Sequence, residues 1–404
     1  MLLGGICDDS EVTQERLEPA HRRTVLLAIV VTQLVVAVVT ATVITVAYRK
    51  LDSNFDAGPG IEHVNKKKHL IGGDPLNILV MGSDSRDGQG NDIDGQTEIG
   101  ERSDTTILVH VSADRKTVYG VSLPRDAMVE RPECTGADGE SVPGADLDIF
   151  NAAYSLGGPA CTAKQVDALT GLYIDHYVSV DFNGFKDMVD AVHGVTVCIP
   201  NDVNDQAHGI TFEAGTQQLN GQQALNYVRE RYSTANSDIG RMKRQQAFVA
   251  SMINKVVSAG TLTRPSRVYD FLKAATSSIT TDPGLSSLSK LVNLAWQFRK
   301  TDLNNITFIT VPNMVYPDNA NRLVWSPSAE GLWKAILNDE PLPKRYREEV
   351  ISAADPPGGT PSGSASGTPS VSASGSPSAP TTGSADPTEG ADGEQEADAN
   401  GLCV

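Results

Sequence analysis

The sequence predicts an α/β fold of three layers, αβα, with a central mixed sheet and one transmembrane helix ahead of it. Three observations predict it. Strand-like apolar runs alternate with helix-like stretches from about Pro75 to about Val350, a pattern that calls for a sheet covered by helices on both faces. Val25 to Ala47 is apolar apart from Thr32, Gln33, Thr40, Thr42 and Thr45. From Ala354 the chain is Ser, Pro, Gly, Ala and Thr and then acidic, with too few large apolar side chains to offset the entropy of folding.

The elements follow in order. Residues 1–23 are a short polar head. The apolar run within 24–48 gives roughly 34 Å of helix, enough to cross a bilayer. It is longer than the core of a cleaved signal peptide, so it reads as a retained anchor. Residues 49–74 are a polar stalk with Gly58-Pro59-Gly60 and the Lys66 to Lys68 triplet, 75–350 the globular part, and 351–404 a disordered, solvated tail. In the globular part Asn77–Met81, Thr105–Val111, Thr117–Ser122 and Tyr177–Asp181 read as strands. Asn183–Val192 reads as a helix and Val195–Ile199 as a strand after Gly194; helices over Ile239–Ser258 and Leu288–Phe298 and a strand over Ile306–Val311 complete the set.

Of the 404 residues, 50 are acidic and 33 are Lys or Arg, a formal net charge of −17. The tail supplies seven of those negative charges (Asp355, Asp386, Glu389, Asp392, Glu394, Glu396, Asp398) and no Lys or Arg. The overall acidity therefore says little about a functional site. Against it stands a basic cluster, Tyr227-Val228-Arg229-Glu230-Arg231 followed by Asp238 to Gln246. Read as a strand, Arg229 and Arg231 share a face. Read as a helix, Arg241 and Gln245 share another, and Asp238 as its N-cap aims the positive helix end at the cluster. Arginine forks suit phosphate oxygens, so the cluster predicts a ligand with at least two phosphates.

Three strand-end segments join it: Asp84 after the first strand, Arg102-Ser103-Asp104 before the second, and Leu123-Pro124-Arg125-Asp126 after the third. Ligand sites on α/β folds gather at such ends. Two carboxylates from different strands there could share one divalent cation and leave room for phosphate oxygens. The plainer reading pairs Arg102 with Asp104 and Arg125 with Asp126 and lets Asp84 cap a turn; the arginine cluster favours metal plus phosphate. Phe248 and Met252 continue the Arg241–Gln245 face, as a wall for a lipid chain or as the core face of an ordinary amphipathic helix.

Other chemistries find little support. Asp92, Asp94, Gly95 and Glu101 approach a calcium-loop spacing, but Gly90 takes its first ligand position, and a polar loop is the better reading. There is no nucleotide-phosphate loop, dinucleotide fingerprint or Gly-x-Ser-x-Gly elbow. Basic residues form no long stripe with interleaved aromatics, which argues against nucleic acid. Cys134 and Cys161 flank a loop-rich segment and could pair in an oxidising compartment. Cys198 lies in an apolar run and reads as a buried thiol; Cys7 precedes the span and Cys403 lies in the tail, so neither reads as a structural partner. Arg16, Arg22 and Arg23 precede the span and Arg49 and Lys50 follow it, so the positive-inside rule alone would leave the large part in the cytoplasm.

The order Asp84, Arg102-Ser103-Asp104-Thr105, Leu123-Pro124-Arg125-Asp126, Asp175-His176-Tyr177-Val178, Leu219-Asn220-Gly221, Tyr227 to Arg231 and Asp238 to Gln246 resembles the LytR-CpsA-Psr family over roughly Asn77 to Lys255. Val192-His193-Gly194-Val195 departs from it where the family usually shows a double glycine. The resemblance implies a phosphotransferase outside the membrane, N-terminus inside, that moves a glycopolymer from a polyprenyl-pyrophosphate carrier to peptidoglycan as a phosphodiester. Asp84 and Asp104 would hold Mg2+ or Mn2+. Arg125, Arg229, Arg231, Arg241 and Gln245 would hold the pyrophosphate, Arg102 would orient the site, and Asp104 or Asp126 would take the acceptor's proton. Two rivals use the same residues: hydrolysis of the lipid pyrophosphate, and a membrane-anchored sensor of envelope precursors.

Overall fold

Alternation along one strand sets the layers. In β2 (Leu76–Ser83), Leu79 and Met81 face one core while Ile78 faces another across the sheet. The computed structural model describes residues 19–70, 73–84, 103–206, 208–230, 237–258, 264–347, 350–357 and 402–403. It divides into two units, Met1–Ser53 and Asn54–Val404. The first contains α1 (Pro19–Asp52), a helix long and apolar enough to cross a membrane. The hydroxyls of Thr32, Thr42 and Thr45 each donate to the carbonyl four residues back, at 2.8, 2.8 and 2.7 Å. That satisfies the hydroxyls within the helix itself, as a membrane span would require.

The second unit is built on an eight-stranded mixed sheet. Its strands are β1 (Asp56–Ala57), β2, β3 (Ser103–Val111), β4 (Val118–Leu123), β5 (His176–Val180), β8 (Ile279–Thr281), β9 (Ile306–Thr310) and β12 (Ile351–Ser352), in the order β1-β8-β5-β2-β3-β4-β9-β12. Outside it β6 (Val195–Ile199) pairs antiparallel with β7 (Gly215–Leu219), and β10 (Asn313–Tyr316) with β11 (Asn319–Trp325). Within the sheet, β2 runs parallel to β5 and antiparallel to β3, β3 antiparallel to β4, and β4 parallel to β9. The C-terminal ends of β2, β4, β5 and β9 therefore meet the start of β3 at one end of the sheet.

Helices cover both faces. On the Leu79 side lie α2 (Ala152–Thr170) and α8 (Ala329–Leu337), with Val166, Leu332 and Trp333 in the core. On the Ile78 side lie α5 (Ser237–Ser258) and α7 (Leu288–Gln297), which contribute Ala247, Ala250 and Leu294. A further core joins β6, β7, α3 (Phe182–Ala191), α4 (Gly221–Arg229) and the other side of α5 at Phe248; α6 (Pro265–Thr276) packs beside α3.

Several expectations need correcting. The strand expected around Arg229 is a helix: Asn220 and Gln223 form a capping box that starts α4, which ends on Arg229 itself. Gly221 is required there, because a Cβ would overlap the backbone of Lys186. Helix α2 was not anticipated, because Gly157-Gly158-Pro159 interrupts it; Gly158 (φ 76°, ψ −165°) breaks the helical geometry between two helical pieces. The supposed stalk adds β1 to the sheet and fastens Asn65 to Asp167 at 2.8 Å. The supposed tail begins with β12 and a fully buried Ala353.

Candidate active site at the strand ends

Three chain segments converge at the end of the sheet where β2 and β4 finish and β3 begins. Gly82 pairs with Thr105, so Asp84, just past β2, lies beside the strand that carries Asp104. Arg125 follows β4, and its Nη1 donates to Asp104 Oδ1. Its Nε lies 3.3 Å from Asp126 Oδ2. Burial alone would lower the Arg125 pKa, but the carboxylates of Asp104, Asp126 and Asp238 outweigh it and hold that pKa above the ordinary arginine value. The Asp238 contribution brings the start of α5 to the same place.

Helix α5 fastens that start firmly. Gln246, fully buried, donates from Nε2 to Ser122 Oγ on β4 at 2.8 Å and to Thr310 Oγ1 on β9 at 2.9 Å. Arg241, Lys243, Arg244 and Gln245 are also buried. Arg241 Nη2 lies 3.1 Å from Asp238 Oδ1. Buried cations are costly unless paired, so their concentration at a helix N-terminus marks a place built for negative charge.

The end of α4 is tied to α5 on both sides of Arg229. Gln245 Nε2 donates to the Val228 carbonyl at 3.1 Å, and Arg244 Nη2 lies 3.2 Å from Glu230 Oε2. Burial pushes the Arg244 guanidinium below its ordinary pKa, against the pull of Glu230 and Tyr227. Burial likewise pushes the Tyr227 hydroxyl up to about 12, with Arg244 opposing. Arg229 itself rests its guanidinium 5.1 Å from the centre of the Phe182 ring.

The structure thus brings together Asp104, Arg125, Asp238 and Arg241, places Asp84 on the neighbouring strand end, and links Arg229 and Gln245 to them through α5. Arg102 and Arg231 lie outside the described residues, as does the polar loop with Asp92, Asp94, Gly95 and Glu101. The plainer Arg125–Asp126 pair is present as well, but Arg125 bridges on to Asp104. Phe248 is fully buried beside Tyr227 and Phe185, and Met252 packs on the same core.

Sequence reading missed one residue at this end. Arg322 on β11 places Nη1 2.7 Å from Asp126 Oδ1, and the Leu323 N–H donates to the Asp126 carbonyl at 3.4 Å. Its only sequence signal was an arginine in a polar hairpin about 200 residues away. Asp84 and Asp104, on adjacent strand ends, are the carboxylates here that could supply oxygens to a hard cation. Among the described residues no group of three or more His, Cys, Asp or Glu side chains gathers into a protein-only metal cage.

The cysteines pair twice. Cys134 and Cys161 form one disulfide, with Cα atoms 5.6 Å apart. Cys198 and Cys403 form a second, with Cα atoms 5.8 Å apart, which corrects the buried-thiol reading of Cys198 and the unpaired reading of Cys403. Leu402 packs against the α5-side core, so the end of the tail returns to the domain.

The LytR_cpsA_psr family pattern matches residues 43–335. The cell wall biosynthesis protein LcpA of Corynebacterium glutamicum is 33% identical over 283 residues, 64% of this chain and 53% of that relative. The polyisoprenyl-teichoic acid–peptidoglycan teichoic acid transferase TagU of Oceanobacillus iheyensis is 29% identical over 305 residues, 74% of this chain and 81% of that relative. The chain spans little more than half the length of LcpA and three-fifths of the related LcpB. Among solved structures, a Streptococcus agalactiae protein superposes with a TM-score of 0.52 at 24% identity, over 67% of this chain and 90% of that one. A LytR-Csp2A-Psr enzyme of Actinomyces oris superposes with a TM-score of 0.51 at 22% identity, over 69% and 96%. These two share the fold, and with the family pattern covering well over half of its residues, the chain belongs to the LytR-CpsA-Psr family.

Proposed function

We propose that the protein is a membrane-anchored phosphotransferase that moves a glycopolymer from a polyprenyl-pyrophosphate carrier onto peptidoglycan through a phosphodiester. The observation that carries this reading is the setting of Arg125, a guanidinium held among Asp104, Asp126 and Asp238 where two strand ends meet the cation-rich start of α5. The name of the TagU relatives, which describes transfer of teichoic acid from a polyisoprenyl carrier to peptidoglycan, supports it.

In this reading Arg125, Arg229 and Arg241, with Arg231, grip the pyrophosphate oxygens, Gln245 lines the site, and Arg102 orients the transferring group. An acceptor hydroxyl on the wall attacks the phosphorus that bears the glycan. The bond to the bridging pyrophosphate oxygen breaks, and polyprenyl phosphate leaves. Guanidinium groups neutralise charge on the transferring phosphoryl group, and positioning supplies most of the rate. Asp104 or Asp126, both held against Arg125, is the proposed acceptor of the hydroxyl proton. Asp84 and Asp104 would hold Mg2+ or Mn2+, which would supply further neutralisation of the phosphate oxygens. Phe248 is fully buried and Met252 packs on the same core, which favours the ordinary core-face reading of these two residues.

Two disulfides support a domain outside the cytoplasm, with α1 as a single-pass anchor and the N-terminus inside. The test incubates the purified full chain with a short lipid-pyrophosphate-linked sugar, a peptidoglycan oligomer and magnesium, and reads products by mass spectrometry. A metal-dependent phosphodiester conjugate is expected. Lipid phosphate released without a conjugate would mean hydrolysis, and binding without turnover would mean a sensor; either would overturn the proposal.

A further inference from the structure

Asn151 joins two segments of the arginine site that lie apart in sequence. The chain leaves β4 through Arg125, runs out along Met128–Arg131 and comes back along Ala145–Ile149, with Met128 paired antiparallel to Ile149. The return sets Phe150 and Asn151 against the segment they left. The Phe150 N–H donates to the Ala127 carbonyl at 2.7 Å, and the Asn151 N–H to the Arg125 carbonyl at 3.1 Å. The Asn151 side chain reaches the other segment. Its Oδ1 accepts the Ser103 N–H at 3.1 Å, and Asn151 and Ser103 are 7% and 1% exposed.

Both contacts bear on Asp104. Between β2 and β3, Gly82 stands opposite Thr105 and Ser83 opposite Ser103, so the register skips Asp104. Asp104 is thus the extra residue of a β-bulge, and a bulge re-aims the side chain it carries. Ser103 braces the bulge from within, where its hydroxyl donates to the Thr105 carbonyl at 2.9 Å. A buried N–H needs a partner, and the Asn151 carboxamide supplies one to Ser103. Asp104 in turn accepts from Arg125 Nη1, and Asn151 holds the Arg125 backbone as well. One residue therefore braces both members of the Asp104–Arg125 pair.

The plain role for an asparagine at this position is to cap α2, which starts at Ala152. An N-cap asparagine usually has an extended backbone and spends its side-chain oxygen on the first N–H groups of its own helix. Asn151 stands at φ −69°, ψ −13° and makes no such bond. Its side chain serves the site segment and not the helix.

We infer that Asn151 is a positioning residue for the transfer reaction: through the Ser103 N–H and the Arg125 carbonyl it sets where the Asp104 carboxylate and the Arg125 guanidinium stand. The inference rests on the transfer reading above and adds to it a residue that need not touch the substrate.

The test measures kcat and KM of the purified full chain for the lipid-pyrophosphate-linked sugar. The same preparations give deuterium exchange at the Ser103 amide, read at single-amide resolution by mass spectrometry. Wild type should protect that amide as strongly as the amide of Leu108 in the middle of β3. Asn151→Ala should expose it and lower kcat by up to about 10²-fold, with KM little changed. Asn151→Asp keeps an oxygen for the Ser103 N–H and should restore the protection and part of kcat. A wild-type kcat in Asn151→Ala would overturn the proposal, as would a kcat equally low in Asn151→Ala and in an Asn151→Asp protein with its protection restored. An unprotected Ser103 amide in wild type would overturn it too, and that measurement needs no variant to fold. A wild-type chain that forms no conjugate would remove the reaction and the inference with it; a protected Ser103 amide in that chain would show that the transfer reading, and not the Asn151 contact, had failed.

Discussion

Arg244 and Glu230 form a buried ion pair that fixes the last turn of α4 onto the first turns of α5. The Arg244 Nη2 lies 3.2 Å from Glu230 Oε2 and also donates to the Glu230 carbonyl, and the two side chains are 4% and 3% exposed. Because Arg229 precedes Glu230, the pair sets where the Arg229 backbone stands. Removing one partner strands a charge in the interior, at a cost of about 3–5 kcal/mol. Glu230→Gln should therefore lower the thermal midpoint measured by circular dichroism, and Glu230→Leu combined with Arg244→Leu should recover part of the loss.

Arg229→Ala should leave the fold intact and remove transfer. Its contact with the Phe182 ring is a half-buried cation–π pair, worth about 0.5–2 kcal/mol of stability. A phosphate-gripping arginine is worth about 10³-fold or more in rate. The conjugate assay and a thermal melt on the same preparation separate the two effects. Retained transfer in a folded Arg229→Ala protein would sink the assignment.

Arg322 should act by degree. It holds Asp126, which holds Arg125 in turn, so Arg322→Ala loosens the Arg125 guanidinium without removing it. A misplacement of that kind costs up to about 10²-fold. We expect a slower rate with little change in thermal midpoint, and Arg322→Lys should restore part of the rate. An unchanged rate in Arg322→Ala would remove Arg322 from the site.

Asp181 gives a pH-dependent prediction. It caps α3, with Oδ1 accepting the Gly184 N–H at 2.6 Å, yet burial lifts its carboxyl above the ordinary value of 3.8 against those backbone bonds. A folded-state pKa above the unfolded one means that ionised Asp181 penalises the native state, and the penalty fades as pH falls from the raised value to 3.8. Asparagine caps as well as aspartate. Asp181→Asn should thus be more stable than wild type at neutral pH, with the difference closing in acid. A constant difference across urea melts at several pH values would refute this.

The Cys198–Cys403 bond spans 205 residues of sequence. Cross-links over long loops stabilise by about 2–4 kcal/mol, mainly through the unfolded chain. Cys403→Ser should lower the urea midpoint, and Cys403→Ser/Cys198→Ser should lower it no further. An unchanged midpoint would show that the bond contributes nothing in solution.

What the sequence revealed was local and periodic. The Ile78/Leu79/Met81 alternation gave β2 and its two faces, and the long period of α5 placed Arg241 and Gln245 together. What it concealed was tertiary or interrupted. Gly157-Gly158-Pro159 hid α2, because breaker residues outweigh the helix on either side. The charged Arg229-Glu230-Arg231 run looked like an alternating strand, but the capping box nine residues before Arg229 decides for helix. Neither Arg322 on Asp126 nor Cys403 on Cys198 has a local pattern, since each contact is created by folding alone.

The pairing of Cys198 with Cys403 also changes what a broken backbone means for this protein. A single peptide-bond scission anywhere between them, the Ser/Pro-rich acidic stretch included, yields a nicked molecule rather than a shortened one. Both pieces would travel together at the full mass until a reductant parted them. Wear in that stretch is thereby uncoupled from loss of Leu402 at its far end, which stays packed, partly buried, against the core beside α5.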